Sequence, residues 1–145
     1  MLLENTLAKI KPLDENAMEK AQARLDDLTK PFGALGVLEA IAKQVAGITG
    51  NPLPKIGKKT VVVMAGDHGV CAEGVSMASS EVTFQMVANF VNGGAGINVL
   101  TKHENAEVVV VDVGVIGDVD LPGVIKKKVK RGTDNLYVGP AMSRE

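Results

Sequence analysis

Tryptophan is absent from these 145 residues, tyrosine occurs once and phenylalanine three times. So few aromatics argue against a base-stacking platform of the kind that binds single-stranded nucleic acid. Cysteine also occurs once, as Cys71, which leaves no second thiol for an internal disulfide. The opening MLLENTLAKIKP lacks the long apolar core of a signal peptide, so a reducing, cytoplasmic location is expected. Long apolar runs are missing too. None approaches the ~20 residues of a membrane span. Charge of either sign is not in excess: 16 basic against 17 acidic side chains give a net charge of −1, and no global field pulls the chain toward DNA or an anionic membrane. With nucleic acid and membrane set aside, small molecules are the expected partners. Internal repeats and low-complexity tracts are absent as well.

What is present is a chain with 46% hydrophobic residues, drawn mainly from Val, Ala, Leu and Ile, at about the length of one globular domain. The first part reads as helical. Ala17, Met18, Ala21, Leu25 and Leu28 recur at helical spacing after Asp14, a suitable N-cap, and Thr29-Lys30-Pro31 stops the pattern. Leu38, Ile41, Ala42 and Val45 predict a second helix running toward Gly47 and Gly50. The Asn51-Pro52-Leu53-Pro54 stretch then marks a boundary near residue 55, giving a helical N-terminal segment over 1–55 and an α/β part over 56–145.

Thr60 to Ala65 is a continuous apolar, mostly β-branched run, which suits a strand buried on both faces of a mainly parallel sheet. Its exit loop is Gly66-Asp67-His68-Gly69-Val70-Cys71-Ala72-Glu73-Gly74. Ser79 or Ser80 is placed to cap a helix carrying Val82, Met86, Val87, Phe90 and Val91, broken near Gly93-Gly94 and resumed through Ile97 to Leu100. EVVVVDV, Glu107 to Val113, reads as a second buried strand. A strand, a crossover helix and another strand make a βαβ unit. Its two strands point the same way, so the Asp67 and Asp112 loops share the carboxyl edge, where open α/β sheets bind ligands. VIKKKVK, Val124 to Lys130, suggests a third strand at a sheet margin. Gly139-Pro140 reads as the start of a further helix, and a chain ending one turn into a helix reads as a fragment.

Two readings stay open for Asp67-His68. A short aspartate between Gly66 and Gly69 organises a loop by accepting backbone amides; a polar pair at a sheet's carboxyl edge equally holds a substrate. A metal is not expected, because no second ligand stands at a recognised spacing and HxxxH and HExxH are absent. Asn92-Gly93-Gly94-Ala95-Gly96 follows a helix instead of a strand, so it reads as a helix break and not a phosphate loop. Cys71 reads as an inert small residue. Lys126 to Arg131 reads as a solvated strand edge.

Four stretches taken together resemble a known family. They are Leu28-Thr29-Lys30-Pro31-Phe32-Gly33-Ala34-Leu35-Gly36-Val37-Leu38-Glu39; Gly66-Asp67-His68-Gly69-Val70 with Glu73-Gly74-Val75-Ser76; Glu81-Val82-Thr83 with Gln85-Met86-Val87; and Gly139-Pro140-Ala141-Met142-Ser143-Arg144. In this order they are similar to the N-terminal portion of the nicotinate-nucleotide:dimethylbenzimidazole phosphoribosyltransferases of cobalamin synthesis. The resemblance implies a Rossmann-like parallel sheet, here partial, with the helical segment belonging to a smaller domain. It also implies a homodimer, no cofactor and no metal. The implied reaction moves the phosphoribosyl group of nicotinate mononucleotide onto 5,6-dimethylbenzimidazole or a related base, giving α-ribazole 5'-phosphate. In the family a glutamate takes the proton and a glycine-rich segment holds the phosphate, and both lie in a C-terminal half that this sequence lacks. No catalytic residue is therefore expected in this chain. The substrate-binding candidates are Ser79, Ser80 and Gln85, with Asp67, His68 and Gly69 as a family motif beside the site. Where many relatives carry Tyr-Pro-Gln, this chain reads Ala78-Ser79-Ser80.

Two further function classes compete with an enzyme portion that is inactive alone. One is a non-catalytic nucleotide- or partner-binding module, such as half of a split enzyme associating with the missing C-terminal half. The other is an unrelated phosphate-binding α/β domain.

Overall fold

Asp14 starts the first well-packed helix as its sequence predicts: its carboxylate accepts the Ala17 amide at 2.9 Å. The computed structural model describes residues 2–144, and the chain divides into two units, Met1–Ile56 and Gly57–Glu145. In the first, α1 spans Leu2–Leu7, α2 Glu15–Asp26 and α3 Val37–Thr49, and Gly50 at φ 65° ends α3 in the left-handed region that glycine tolerates. α2 packs on α3 through small residues. Ala17, Ala21 and Ala46 are buried, and a Cβ on Gly47 would come within 2.7 Å of Met18 Sδ.

The turn between α2 and α3 is held by one carboxylate. Glu39 is buried, accepts the Leu35 amide at 3.1 Å and sits 2.8 Å from Lys30 Nζ. The Lys30 ammonium and the Leu35 amide hold its carboxyl below the ordinary 4.5. A depressed carboxyl stabilises the fold above its unfolded-state pKa, and that stabilisation drains as pH falls through the folded-state value. Thermal melts between about pH 3 and 6 are therefore expected to show a smaller acid loss of stability for Glu39→Gln than for the parent chain. Equal slopes would assign the acid sensitivity elsewhere.

The second unit orders β1 (Lys59–Gly66), a 3-10 turn (Gly69–Glu73), α4 (Glu81–Val91), α5 (Gly96–His103), β2 (Ala106–Gly114) and β3 (Val124–Lys126). The three strands are parallel in the order β1-β2-β3. Val63 faces Val110 and Ala65 faces Asp112 in the register of β1 and β2. On one side of the sheet Ala65 and Val110 join Val87 of α4, with Val115 and Val119 from the loop after β2, as the core.

The helix break comes where the glycines predict it. Gly93 takes φ 78°; Asn98 then accepts the Ala95 amide at 3.1 Å and donates to the Phe90 carbonyl at 2.9 Å, joining α5 to α4.

Three expectations need correction. β1 is not buried on both faces: Val62 is 50% and Met64 70% exposed. Both helices between β1 and β2 pack on the same side, and no further element of this unit covers the other. The lysine-rich third strand is real but only three residues long; beyond Lys126 the chain keeps bonding to the end of β2 through the Lys127, Val129 and Gly132 amides in irregular form. No helix starts at Gly139-Pro140. Ala141 instead offers its carbonyl to the Asp134 amide at 2.9 Å, folding the segment back on the preceding loop, and so short a helix carries its nucleation cost with few bonds in return.

Candidate functional site

Parallel pairing carries the ends of β1 and β2 to one edge, and Asp67 knots the loops there. The residue is 4% exposed. Its Oδ2 accepts the Ile116 amide at 2.7 Å. Its amide donates to the Gly114 carbonyl, and its carbonyl accepts the Thr133 amide, each at 3.0 Å. Three loops thus close on one side chain and its backbone. Gly69 completes the knot by donating to Thr133 Oγ1 at 3.2 Å. A Cβ on Gly69 would fall 2.6 Å from the Asp134 carbonyl carbon and 2.7 Å from Asn135 N, so glycine is required here by close backbone approach. Farther along the loop, Asn135 Nδ2 donates to Glu73 Oε1 at 2.6 Å.

Asp112, at the end of β2, plays the matching part. It is 2% exposed; its Oδ1 accepts the amides of Gly114 at 3.1 Å and Val115 at 2.9 Å, and its Oδ2 lies 3.3 Å from Lys128 Nζ. Lys128 also donates to the carbonyls of Val115 and Gly117.

The basic run, expected as a solvated edge, is in fact a set of clamps. Lys126 pairs with Asp120, Lys130 with Asp134, and Arg131 with Asp118 and the Ile116 carbonyl. Pairing with Lys126 lowers the Asp120 carboxyl from its ordinary 3.8. The run passes beside the acceptor-rich loop after β2, and that loop takes up its charges.

Above the knot lies a cavity of about 380 Å³ between the exit of β1, the 3-10 turn and the start of α4. Its polar wall is Asp67, His68, Ser79 and Ser80; Val87 and Phe90 form its apolar side, and Cys71 and Met86 also line it. His68 is exposed. Ser80 occupies the N-cap position of α4, yet its hydroxyl caps nothing, because backbone carbonyls of Ser79 and Ser80 already take the amides of Val82 and Thr83 at 3.1 Å. That hydroxyl remains available to a ligand. The combination suits a flat apolar molecule with a few polar atoms: apolar side chains to cover its faces, hydroxyls and an imidazole to meet its edge.

The six residues singled out by sequence separate into three groups. Asp67, His68, Ser79 and Ser80 come together around this cavity. Gln85 lines a second one of about 450 Å³, with Asp67, Ser80, Phe84 and Ile116 among its neighbours. Gly69 lines neither, and its contribution is the backbone approach to Thr133–Asn135. Sequence reasoning missed Thr133, Ile116 and Met86. A third parallel strand returning beside β2 puts the turn-forming Gly132-Thr133-Asp134-Asn135 near the same edge, and that is the signal for Thr133. Among the described residues no group of three or more His, Cys, Asp or Glu side chains is placed to hold a metal ion, and no helix is long and apolar enough to cross a membrane.

Comparison with known proteins agrees with this geometry. A family described as phosphoribosyltransferase matches residues 10–145. The nicotinate-nucleotide–dimethylbenzimidazole phosphoribosyltransferase of Ruminiclostridium cellulolyticum is 51% identical over 144 residues, which is 99% of this chain and 41% of that protein. The enzyme of the same name from Geobacter sp. strain M21 is 54% identical over 145 residues, again 99% of this chain and 42% of its own. A crystal structure of the Thermus thermophilus enzyme superposes with a TM-score of 0.85 at 49% identity, covering 90% of this chain and 40% of that one. The chain thus spans about two fifths of the length of these relatives.

Proposed function

The chain belongs to the phosphoribosyltransferase family that matches it over residues 10–145, and from that membership we propose that its β1-exit cavity is the base-side wall of a site that transfers the phosphoribosyl group of nicotinate mononucleotide to a benzimidazole-type base. The product is α-ribazole 5'-phosphate when that base is 5,6-dimethylbenzimidazole. The observation that carries the reading is the cavity itself, with Asp67, His68, Ser79 and Ser80 on one wall and Val87 and Phe90 on another.

The chemistry divides the labour. Displacement at the anomeric carbon passes through an oxocarbenium-like state, so an enzyme gains most by aligning the incoming ring nitrogen with the far face of the ribose. It must also remove a proton from that base. Here Val87 and Phe90 cover the ring, and the hydroxyls of Ser79 and Ser80 with the His68 imidazole meet its polar edge. Asp67 acts as a positioning residue: its carboxylate holds the Ile116 amide and so fixes the wall that His68 stands on. The proton acceptor and the phosphate donors belong to the three fifths of the relatives' length outside this chain. The enzyme works on small molecules in the cytosol and assembles as a homodimer in its full-length form.

Two measurements test this. Titration of 5,6-dimethylbenzimidazole into the chain is expected to shift the amide resonances of His68, Ser79 and Ser80, with dissociation in the region of ~1 mM. The chain alone is expected to give no product from nicotinate mononucleotide and the base by chromatography. Shifts confined to residues remote from the β1 exit would refute the assignment of the cavity, and product formation would refute the division of labour.

A further inference from the structure

β1 is bare twice over. Its partner β2 occupies one edge, and the order β1-β2-β3 leaves the other edge without a strand in this unit. The sheet face turned away from α4 and α5 is also open: Val62 is 50%, Met64 70% and Ile125 45% exposed, all three apolar. Sheets ordinarily blunt an open edge with short strands, charges or bulges. The opposite margin does so, since β3 has three residues and runs straight into Lys127 and Lys128. β1 does not. It is eight residues long, its charge is confined to Lys59 at the start, and Val61 to Ala65 present only apolar side chains.

We infer that this edge and face are the docking surface for the remaining portion of a chain of this family, which adds a strand parallel to β1 and lays its crossover helix on Val62, Met64 and Ile125. Three observations choose this occupant. First, all the strands run away from β1 in one direction with their helices on one face, and doubly wound sheets are completed by returning to the first strand's free edge with helices on the other face. Second, the relatives supply the material: this chain accounts for 41% of the Ruminiclostridium cellulolyticum protein and 40% of the Thermus thermophilus one. Third, a parallel strand on the free edge places the Asp67-His68 loop between two strands that diverge to opposite sides, where such sheets form their ligand crevice. A second copy pairing edge to edge does not explain the open face.

This inference rests on family membership and needs no substrate, so it can fail while the base reading stands, and the reverse. The chain is co-expressed with a tagged polypeptide covering the part of the Thermus thermophilus relative beyond the matched region, and both parts are also made as one fused chain. One-to-one capture is expected, with amide exchange over residues 60–65 slowed by about 100-fold in the complex and in the fusion. Val62→Lys, checked for native circular dichroism, is expected to weaken capture by about 100-fold, whereas Val99→Lys on the similarly exposed surface of α5 leaves it unchanged. Unaltered exchange over 60–65 in the fused chain would overturn the inference. So would protection of β1 that rises with the concentration of this chain alone, which would assign the edge to a second copy.

Discussion

Gly69→Ala is expected to destabilise the second unit by about 1–3 kcal/mol, at the upper end of the range for an overpacked site. The reason is the nature of the opposing atoms. A Cβ there would fall 2.6 Å from the Asp134 carbonyl carbon and 2.7 Å from both Asn135 N and Thr133 O. All three are backbone, so no side chain can swing aside, and relief requires moving the 133–135 loop as a body. That movement breaks the bonds from Gly69 N to Thr133 Oγ1 and from Thr133 N to the Asp67 carbonyl. The cavity above would deform with them. Gly139→Ala is the control, because a Cβ at Gly139 meets nothing within 4 Å and should change stability by less than about 0.5 kcal/mol. Denaturant unfolding of both variants measures the difference. A Gly69→Ala protein as stable as Gly139→Ala would mean that the three loops are not locked together.

The second large effect is expected at Asp112. Asp112→Ala removes the acceptor of two backbone amides and the partner of Lys128 in a place that is 2% exposed. Breaking a buried pair from one side costs about 3–5 kcal/mol. The lower figure is expected here, because Lys128 keeps the Val115 and Gly117 carbonyls. Asp112→Asn separates the contributions. Its amide oxygen can still accept from Gly114 and Val115, so only the charge is lost, and a cost of about 1 kcal/mol is expected. If Asn and Ala prove equally costly, the ion pair outweighs the loop amides; if both are silent, the loop after β2 is organised from elsewhere.

Much of the scaffold is legible in the sequence where the signal is local. Asp14 caps α2 and Gly50 ends α3 because capping depends on neighbours within a turn. The Asn92–Gly96 stretch breaks the helix for the same reason. The Val-rich runs of β1 and β2 are equally plain, and with the crossover they bring Asp67 and Asp112 to one edge. Burial is a different matter. TVVVMA reads alike whether one face or both are covered, since the coverage comes from chain far away. The site shows the same limit: along α4 each residue turns about 100°, so the step from Gln85 to Met86 moves a side chain from one cavity to another. A one-residue difference of that kind is set by how the helix seats on the sheet. The Lys126–Arg131 run reads as a free edge in sequence because its acceptors, Asp112 to Asp120, are identifiable only once the strand returns beside them.

The position of Cys71 has a practical use. It is the one thiol in the chain and stands half-buried on the cavity wall, so a maleimide dye would attach at a single place, beside the proposed ligand, without any engineered residue. Alkylation kinetics then become an occupancy gauge: whatever fills the cavity slows the labelling, and the degree of slowing ranks competing bases without a turnover assay.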